Sequence, residues 1–198
     1  MTTENINVFR KEIERFTQLT DEEWQMIVPH LEHRKIKKHA DFATMDKKAK
    51  DVAFVINGSF RQYYSQDGID YTTYFFFENH LLSSYISCIT GMPSLITIEA
   101  LEDSELIVFS YKALTELFEK SKGWERFGRK VAEYAMMGLE ERMVGLLMLS
   151  PEDRYLQLLG SNKKKIIERI PQHHIANYLG ITPVSLSRIR NRISKKDQ

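Results

Sequence analysis

The side chains with the most specific chemistry in this sequence stand between residues 183 and 193. Arg188 follows Val184 by four residues and Ser185 by three, so a helix would bring all three to one side. An arginine guanidinium donates two parallel hydrogen bonds, which fits paired acceptors such as O6 and N7 of guanine. Neighbouring hydroxyl groups can bind phosphates or base edges. This side of the helix therefore has the chemistry needed to read DNA, with Arg188 as the expected base contact.

Two short helices joined by a tight turn are predicted around these residues. Ile175 and Leu179 lie four residues apart and would share one face of the first helix, while the small Ala176 allows a second helix to approach closely. Gly180 supplies the positive φ that commonly ends a helix. Helices linked in this way form a helix-turn-helix, which we expect over residues 171–193. A plain helical hairpin is the alternative.

The second helix of the pair, residues 183–193, is the predicted recognition helix, which would enter the DNA major groove. Leu186 and Ile189 would face inward, and Thr182 can cap the helix, whose first turn accepts a proline. The predicted DNA contacts are Thr182, Pro183, Val184, Ser185, Ser187, Arg188, Arg190 and Arg192, together with His173 near the start of the first helix.

Basic residues are concentrated in the same part of the chain. Residues 160–198 hold nine Lys or Arg against two Asp or Glu, whereas residues 1–119 hold 12 against 19. A basic end suits an anionic partner such as double-stranded DNA, and we expect Arg190 and Arg192 to bind its phosphates. A solvated basic tail is the other interpretation of the charge alone.

Several other classes of protein have little support. The single cysteine, Cys88, excludes an internal disulfide and an iron–sulfur cluster held by this chain alone. No run of about 18 apolar residues and no leader pattern occurs, so we expect a cytoplasmic protein without a membrane partner. We expect neither a metal site nor enzymatic activity. The main alternative is a cupin-like β-roll that binds or converts a small molecule, although residues 40–170 contain no His-x-His pair.

The elements that must position the candidate face are predicted from residue periodicity. Short β-rich runs separated by turn signals such as Asn57-Gly58 indicate a β-roll or jelly roll. A capping-box pattern begins a helix at Thr20, and helical spacing returns after Tyr111. The predicted strands are residues 52–56, 60–65, 69–77, 95–101 and 105–111, and the later helices are 112–120, 123–149 and 151–160.

The long helix at residues 123–149 carries a heptad rhythm, which is typical of a seam between two helices. We expect it to join two copies of the chain in a homodimer. The alternative is an amphipathic helix that packs on its own β-roll. The expected seam positions are Phe127, Val131, Tyr134, Gly138, Glu141, Gly145 and Met148.

The pattern Ile-Pro-Gln-x-x-Ile-Ala-x-Tyr-Leu-Gly-Ile-Thr-Pro-x-Ser-Leu-Ser-Arg-Ile-Arg at residues 170–190 resembles the Crp/Fnr family of bacterial transcription regulators. Residues 98–103 and 124–129 resemble the branch of that family common in Bacteroidetes. The resemblance covers nearly the whole chain. It implies an α+β fold with a cyclic-nucleotide-binding-like β-roll, a long dimerisation helix and a C-terminal winged helix-turn-helix.

The resemblance also implies a domain organisation and partners. The expected divisions are N-terminal helices and β-roll at residues 1–122, the dimerisation helix at 123–149 and the DNA-binding domain at 150–198. A homodimer of this type would bind an inverted-repeat operator and act through RNA polymerase. Family members often have Glu at the second base-reading position, where this chain has Val184. The operator sequence therefore does not carry over, and Val184 could instead contact a thymine methyl group.

The effector pocket departs from the family pattern as well. Cyclic-AMP-binding members use a Gly-Glu pair and an Arg-Ser pair, which align here with Ser83-Ser84 and Ser94-Leu95. No Arg or Lys lies between residues 62 and 111. A buried phosphate without a cation is costly, so cyclic AMP is not expected. Haem has no support either, and another small-molecule effector, or none, remains open.

Overall fold

The computed structural model describes residues 2–160 and 164–196 and divides by compactness into two units. The N-terminal unit comprises Met1–Tyr64 and Phe75–Ala135. The C-terminal unit comprises Ser65–Tyr74 and Met136–Gln198. The outer part of one β-hairpin therefore belongs with the C-terminal residues. The divisions at residues 122/123 and 149/150 stay predictions.

The N-terminal unit begins with two helices, α1 at Thr3–Glu14 and α2 at Asp21–Ile27, followed by a single 3-10 turn. The capping box predicted at Thr20 is confirmed. The Thr20 hydroxyl accepts from the Glu23 N–H at 3.2 Å, and the Glu23 carboxylate accepts from the Thr20 N–H at 3.0 Å. Two of the unpaired backbone donors at the start of α2 are thus satisfied by its own sequence.

Eight strands then form two four-stranded sheets, in the orders β1-β8-β3-β6 and β2-β7-β4-β5. The predicted β-roll and its strands are confirmed, whereas the short β1, β2, β6 and α3 were not predicted. The bounds are β1 Glu32–Ile36, β2 Asp41–Ala43, β3 Asp51–Asn57, β4 Phe60–Gln66, β5 Ile69–Phe76, β6 Leu81–Leu82, α3 Tyr85–Thr90, β7 Thr97–Ala100, β8 Ser104–Ser110 and α4 Tyr111–Lys120.

Two apolar clusters hold the N-terminal unit together. Strand β3 contributes to both, since Ala53 and Val55 pack between the sheets while Val52 and Phe54 pack against the helices. A strand buried on both faces reads as a continuous apolar run, which is what residues 52–56 show. The helix-side cluster includes the fully buried Trp124.

Five helices make up most of the remaining residues that the structure describes. Helix α5 (Lys122–Met148) is followed by α6 (Pro151–Gly160), α7 (Lys164–Arg169), α8 (Gln172–Tyr178) and α9 (Pro183–Lys196). The predicted helix at 151–160 is confirmed. Beyond α5, none of the residues that the structure describes is in a strand, so the winged form of the C-terminal domain stays a prediction. No described helix is long and apolar enough to span a membrane.

The prediction that Phe127 and Val131 lie in the dimer seam is wrong. Phe127 is buried in its own unit, with ring centroids 5.6 Å from Trp124 and 5.9 Å from Phe16. Val131 packs against the same cluster. Tyr134, although exposed, also meets the Phe16 ring edge at 5.9 Å. A heptad rhythm arises wherever one helix face is covered, so the sequence did not distinguish a partner helix from the chain's own core.

A different apolar stripe on α5 is exposed. Met136, Leu139, Met143 and Leu146 recur at spacings of three and four residues, so they share one side of the helix. Each exposes more than two-fifths of its surface, and Leu147 beside them exposes 75%. We call these five residues the α5 stripe. A contiguous exposed apolar stripe of this kind is typical of an interface.

Candidate nucleic-acid interface

The turn between α8 and α9 is closed by two backbone hydrogen bonds. The Gly180 N–H donates to the Asn177 carbonyl and the Ile181 N–H donates to the Ala176 carbonyl, each at 3.0 Å. This is the pattern of a Schellman motif, in which the residue after the helix is left-handed. Gly180 has φ +70°, as predicted from the sequence. The turn therefore fixes where α9 begins relative to α8.

The inward faces of the two helices are apolar and buried. Ala176 is fully buried, Leu186 is 1% exposed and Leu179 is 2% exposed. Ile175 and Ile189 are buried beside them. The assignment of these five residues to the interior is confirmed, and it leaves the opposite side of α9 facing outward.

The start of α9 is capped by side chains that were predicted to contact DNA. The Thr182 hydroxyl accepts from the Ser185 N–H at 3.2 Å, and the two hydroxyl oxygens lie 3.0 Å apart. Thr182 thus serves as the N-cap, as the sequence indicated. Both hydroxyls stabilise the helix end, and Pro183 is exposed in the first turn.

The outward face of α9 brings together Val184, Ser187 and Arg188, which are all exposed. The Arg188 guanidinium has no ion-pair partner among the described residues. Asn191 is also exposed on this face, three residues after Arg188 and seven after Val184. Asn191 was not among the DNA contacts predicted from the sequence, although its helical spacing was a sufficient signal. An asparagine amide can pair with adenine N6 and N7.

Two further arginines flank this face. Arg192 pairs with Glu152 on α6, with its Nε donating at 2.8 Å, and its side chain is about half exposed. Arg190 is exposed on the other flank. Arg192 therefore already has an anionic partner within the C-terminal unit, which the sequence did not indicate. A phosphate would have to compete with Glu152 for it.

His173 lies in the first turn of α8 and is exposed. Its ring lies against that of His174, with centroids 3.9 Å apart and planes tilted by 47°. The structure places it away from the buried face of α8, so it is accessible to a ligand.

The predicted effector residues flank α3 of the β-roll, Ser83 and Ser84 before it and Ser94 and Leu95 after it. Ser84 and Ser94 are 2% and 1% exposed, and their hydroxyl oxygens lie 2.7 Å apart. The Ser94 hydroxyl also donates to the Ile96 carbonyl. Leu95, in contrast, is 62% exposed, and Ser83 is half-buried. The structure brings the two buried serines together, but their hydroxyls are bonded to each other.

The sequence on either side of these serines, residues 62–111, contains no Lys or Arg. The last arginine before the long segment without Lys or Arg is Arg61, which is buried and pairs with Glu99 at 3.1 Å. Its guanidinium also stacks on the Tyr63 ring at 3.9 Å. A cyclic nucleotide brings a phosphate anion, which needs a cation or several free donors. Residues 62–111 supply no such cation, and Lys47 meets Ser94 through its backbone carbonyl, which accepts from the Ser94 N–H at 2.9 Å.

Cys88 is a poor candidate for redox chemistry. Burial raises the pKa of the Cys88 thiol to about 11, and the thiol lies 3.7 Å from the Asp51 carbonyl. The thiolate is the reactive form of cysteine, so a raised pKa keeps this side chain inert near neutral pH.

Residues 33–121 match the sequence model of the cyclic nucleotide-binding domain. No curated protein sequence matches the chain. The branch common in Bacteroidetes stays a prediction.

Solved structures resemble the chain over most of its length. FixK2 from Bradyrhizobium japonicum matches with a TM-score of 0.71 and 17% identity, over 84% of this chain and 86% of that one. The c-di-GMP-responsive global regulator CLP from Xanthomonas campestris matches with 0.70 and 15%, over 90% and 93%. A Eubacterium rectale protein assigned to the Crp/Fnr family matches with 0.68 and 19%, over 90% and 85%. Residues 33–121 are thus similar to a cyclic nucleotide-binding domain, and the chain shares its fold with these three solved structures, one of which is assigned to the Crp/Fnr family.

Proposed function

We propose that this protein is a DNA-binding transcription regulator in which α8 and α9 form the helix-turn-helix. The observation that carries the proposal is the outward face of α9, where Val184, Arg188 and Asn191 are exposed on a helix whose other face is buried. A rigid helix with one free polar face suits the major groove, which admits an α-helix.

The side chains of this face have distinct roles in the proposal. Arg188 donates two hydrogen bonds to a guanine edge, Asn191 pairs with an adenine, and Val184 contacts a thymine methyl group. Ser187 and Arg190 bind phosphates, which sets affinity rather than sequence preference. The hydroxyls of Thr182 and Ser185 hold the helix end, so they contribute to recognition through the position of α9.

A homodimer would present this face twice. The α5 stripe, rather than the heptad first predicted from the sequence, is the proposed contact between copies, because its apolar side chains are exposed. Two recognition helices in a symmetric pair would lie about 34 Å apart, one helical turn of DNA. The operator is then an inverted repeat, and RNA polymerase is the expected further partner.

The β-roll does not bind a cyclic nucleotide by phosphate contacts at α3 in this proposal. The paired Ser84 and Ser94 hydroxyls, and the lack of Lys or Arg in residues 62–111, support this view. A different small molecule, or none, would then control the regulator.

Selection of bound duplexes from a random-sequence pool tests the proposal. The wild-type protein should enrich an inverted repeat, read by sequencing the bound DNA. The double variant Arg188→Ala/Asn191→Ala is the matched control. It changes only exposed side chains and should fold normally, yet it should enrich no motif. Failure of the wild-type protein to enrich any sequence would refute the proposed function.

A further inference from the structure

The side chain of Asn177 pairs with the backbone of a β-strand. Its Oδ1 accepts from the Thr72 N–H at 2.5 Å, and its Nδ2 donates to the Asp70 carbonyl at 2.6 Å. Thr72 and Asp70 belong to β5, the edge strand of its sheet, and to the segment Ser65–Tyr74 of the C-terminal unit. The amide of α8 therefore replaces the donor and acceptor of a missing neighbouring strand.

A second side chain holds the other backbone group of Thr72. The Arg142 Nη2 of α5 donates to the Thr72 carbonyl at 3.1 Å and to the Tyr178 carbonyl at 2.8 Å. Its guanidinium lies 3.9 Å from the centre of the Tyr178 ring. The Tyr178 carbonyl is at the C-terminal end of α8, where carbonyls lack partners within the helix. We call Asp70, Thr72, Arg142, Asn177 and Tyr178 the Thr72 clasp.

Burial makes this arrangement more than a surface contact. Thr72 is 2% exposed, so its N–H and carbonyl have no access to water in place of the clasp. The Arg142 side chain is half-buried, and this desolvation lowers the pKa of its guanidinium. Breaking bonds to a buried backbone group costs more than breaking exposed ones. The clasp should therefore have one strongly preferred geometry.

The clasp lies beside the turn that places the recognition helix. Asn177 and its neighbour Ala176 supply the two carbonyls that close the turn at Gly180 and Ile181. A residue that fixes α8 on β5 consequently fixes the start of α9. A displacement of strand β5 would be transmitted to α9 through the same bonds.

We propose that Asn177 is a positioning residue for DNA recognition, which holds α8 and α9 in their reading orientation by binding the backbone of β5. This rests on the proposed function. Because the clasp leaves the outward face of α9 exposed, it favours DNA binding by preorganising the helix pair rather than by blocking it.

Two substitutions at Asn177 test the role. Asn177→Ala removes both bonds, whereas Asn177→Asp keeps an acceptor for the Thr72 N–H but sets a carboxylate against the Asp70 carbonyl. The probe is the duplex that the wild-type protein selects from a random pool. Both variants should bind it at least about fivefold more weakly, the lower end of typical coupling between sites. Gln157→Ala, which removes an exposed amide from α6, should bind like the wild type.

Hydrogen exchange separates positioning from a general loss of structure. The Thr72 amide should exchange at least about tenfold faster in Asn177→Ala, while amides of the β-roll core such as Val108 should keep their wild-type rates. If Asn177→Ala does not fold, the exchange rates of Thr72 and Val108 are compared in Asn177→Asp instead.

The outcomes distinguish this inference from the proposed function. Unchanged or tighter binding of the selected duplex by the Asn177 variants would overturn the positioning role even if the protein binds DNA. If the wild-type protein binds no duplex at low salt, the proposed function fails, and the positioning role in recognition fails with it. The Thr72 exchange rate would still report whether the clasp forms.

Discussion

Single residues define the candidate interface, and Arg188 is the one with the most specific chemistry. It is exposed on α9, and a helical turn separates it from Val184 on the same face. A bidentate arginine–guanine contact contributes about 1–3 kcal/mol of discrimination against the wrong base. A phosphate contact contributes affinity to every sequence alike. The two roles can therefore be separated by comparing binding to a selected operator with binding to unrelated DNA.

We predict that Arg188→Ala weakens binding to the selected operator by about tenfold or more but changes binding to unrelated duplexes much less. Arg190→Ala is the matched control, because it removes an exposed arginine from the flank of the same helix. It should weaken binding to both duplexes by a similar factor. Fluorescence anisotropy with both duplexes measures the ratio. Equal losses for the two DNAs in Arg188→Ala would remove that residue from base reading.

Glu23 gives a pH-dependent test of the N-terminal unit. Hydrogen bonds from the Ser121 hydroxyl at 2.6 Å and from the Thr20 and Gly123 N–H groups lower the pKa of Glu23 below its ordinary value. A lowered pKa means that the folded state favours the charged form. The stabilisation is therefore complete above the ordinary pKa of glutamate and is lost as the pH falls through the lower folded value.

We predict that Glu23→Gln lowers the free energy of unfolding at pH 7, and that the difference from the wild type shrinks as Glu23 becomes protonated in acid. Urea unfolding at pH 7 and at successively lower pH measures it. Glu22→Gln, an exposed neighbour on α2, should change stability little at either pH. A difference for Glu23→Gln that does not depend on pH would contradict the role of its charge.

The sequence was informative for residues whose role is local. The positive φ of Gly180 and the capping by Thr182 follow from neighbours within a few positions, and both are confirmed. The contacts of Asn177 and Arg192 could not be predicted from the sequence, because their partners are far along the chain. Asn177 binds backbone more than 100 residues away, and Arg192 finds Glu152 40 residues earlier.

Strands and helices could be predicted where only one structural feature explains the spacing of their apolar residues. The apolar run of β3 and the turn signals after it correctly indicated consecutive strands. The heptad on α5 had two possible causes, and its first positions at Phe127 and Val131 proved to face the chain's own core. Short elements such as β6 lack enough residues to show a period at all.

We predict that Leu139→Glu, in the middle of the α5 stripe, converts the proposed homodimer to a monomer, because a charge cannot be buried there without a partner. Val144→Glu is the control, since Val144 is exposed on another side of the same helix. It should leave the dimer intact. Sedimentation velocity measures both molecular masses. A dimeric Leu139→Glu protein would place the interface elsewhere.

The whole molecule is nearly neutral in sum, but its charge is strongly divided along the chain. Net charge is +1, while residues 120–198 hold 16 basic against 8 acidic side chains. Such a basic end attracts nucleic acid without sequence preference and releases counterions on binding.

We predict that affinity for an unrelated duplex falls steeply with salt, whereas the fold is unchanged over the same range. A protein that makes several phosphate contacts loses about a thousandfold or more in affinity between 50 and 200 mM salt. Anisotropy titrations at successive salt concentrations give the slope of the logarithmic plot. A flat response would mean that the basic residues are merely solvated.

Chemical protection of guanine N7 by the bound protein is the most direct test of the central claim. That claim is that the two copies of α9 in a homodimer read bases in two successive major grooves. Dimethyl sulfate footprinting on the selected duplex should show two protected patches about one helical turn apart, and both should disappear with Arg188→Ala. A single patch, or protection that Arg188→Ala leaves intact, would contradict the account.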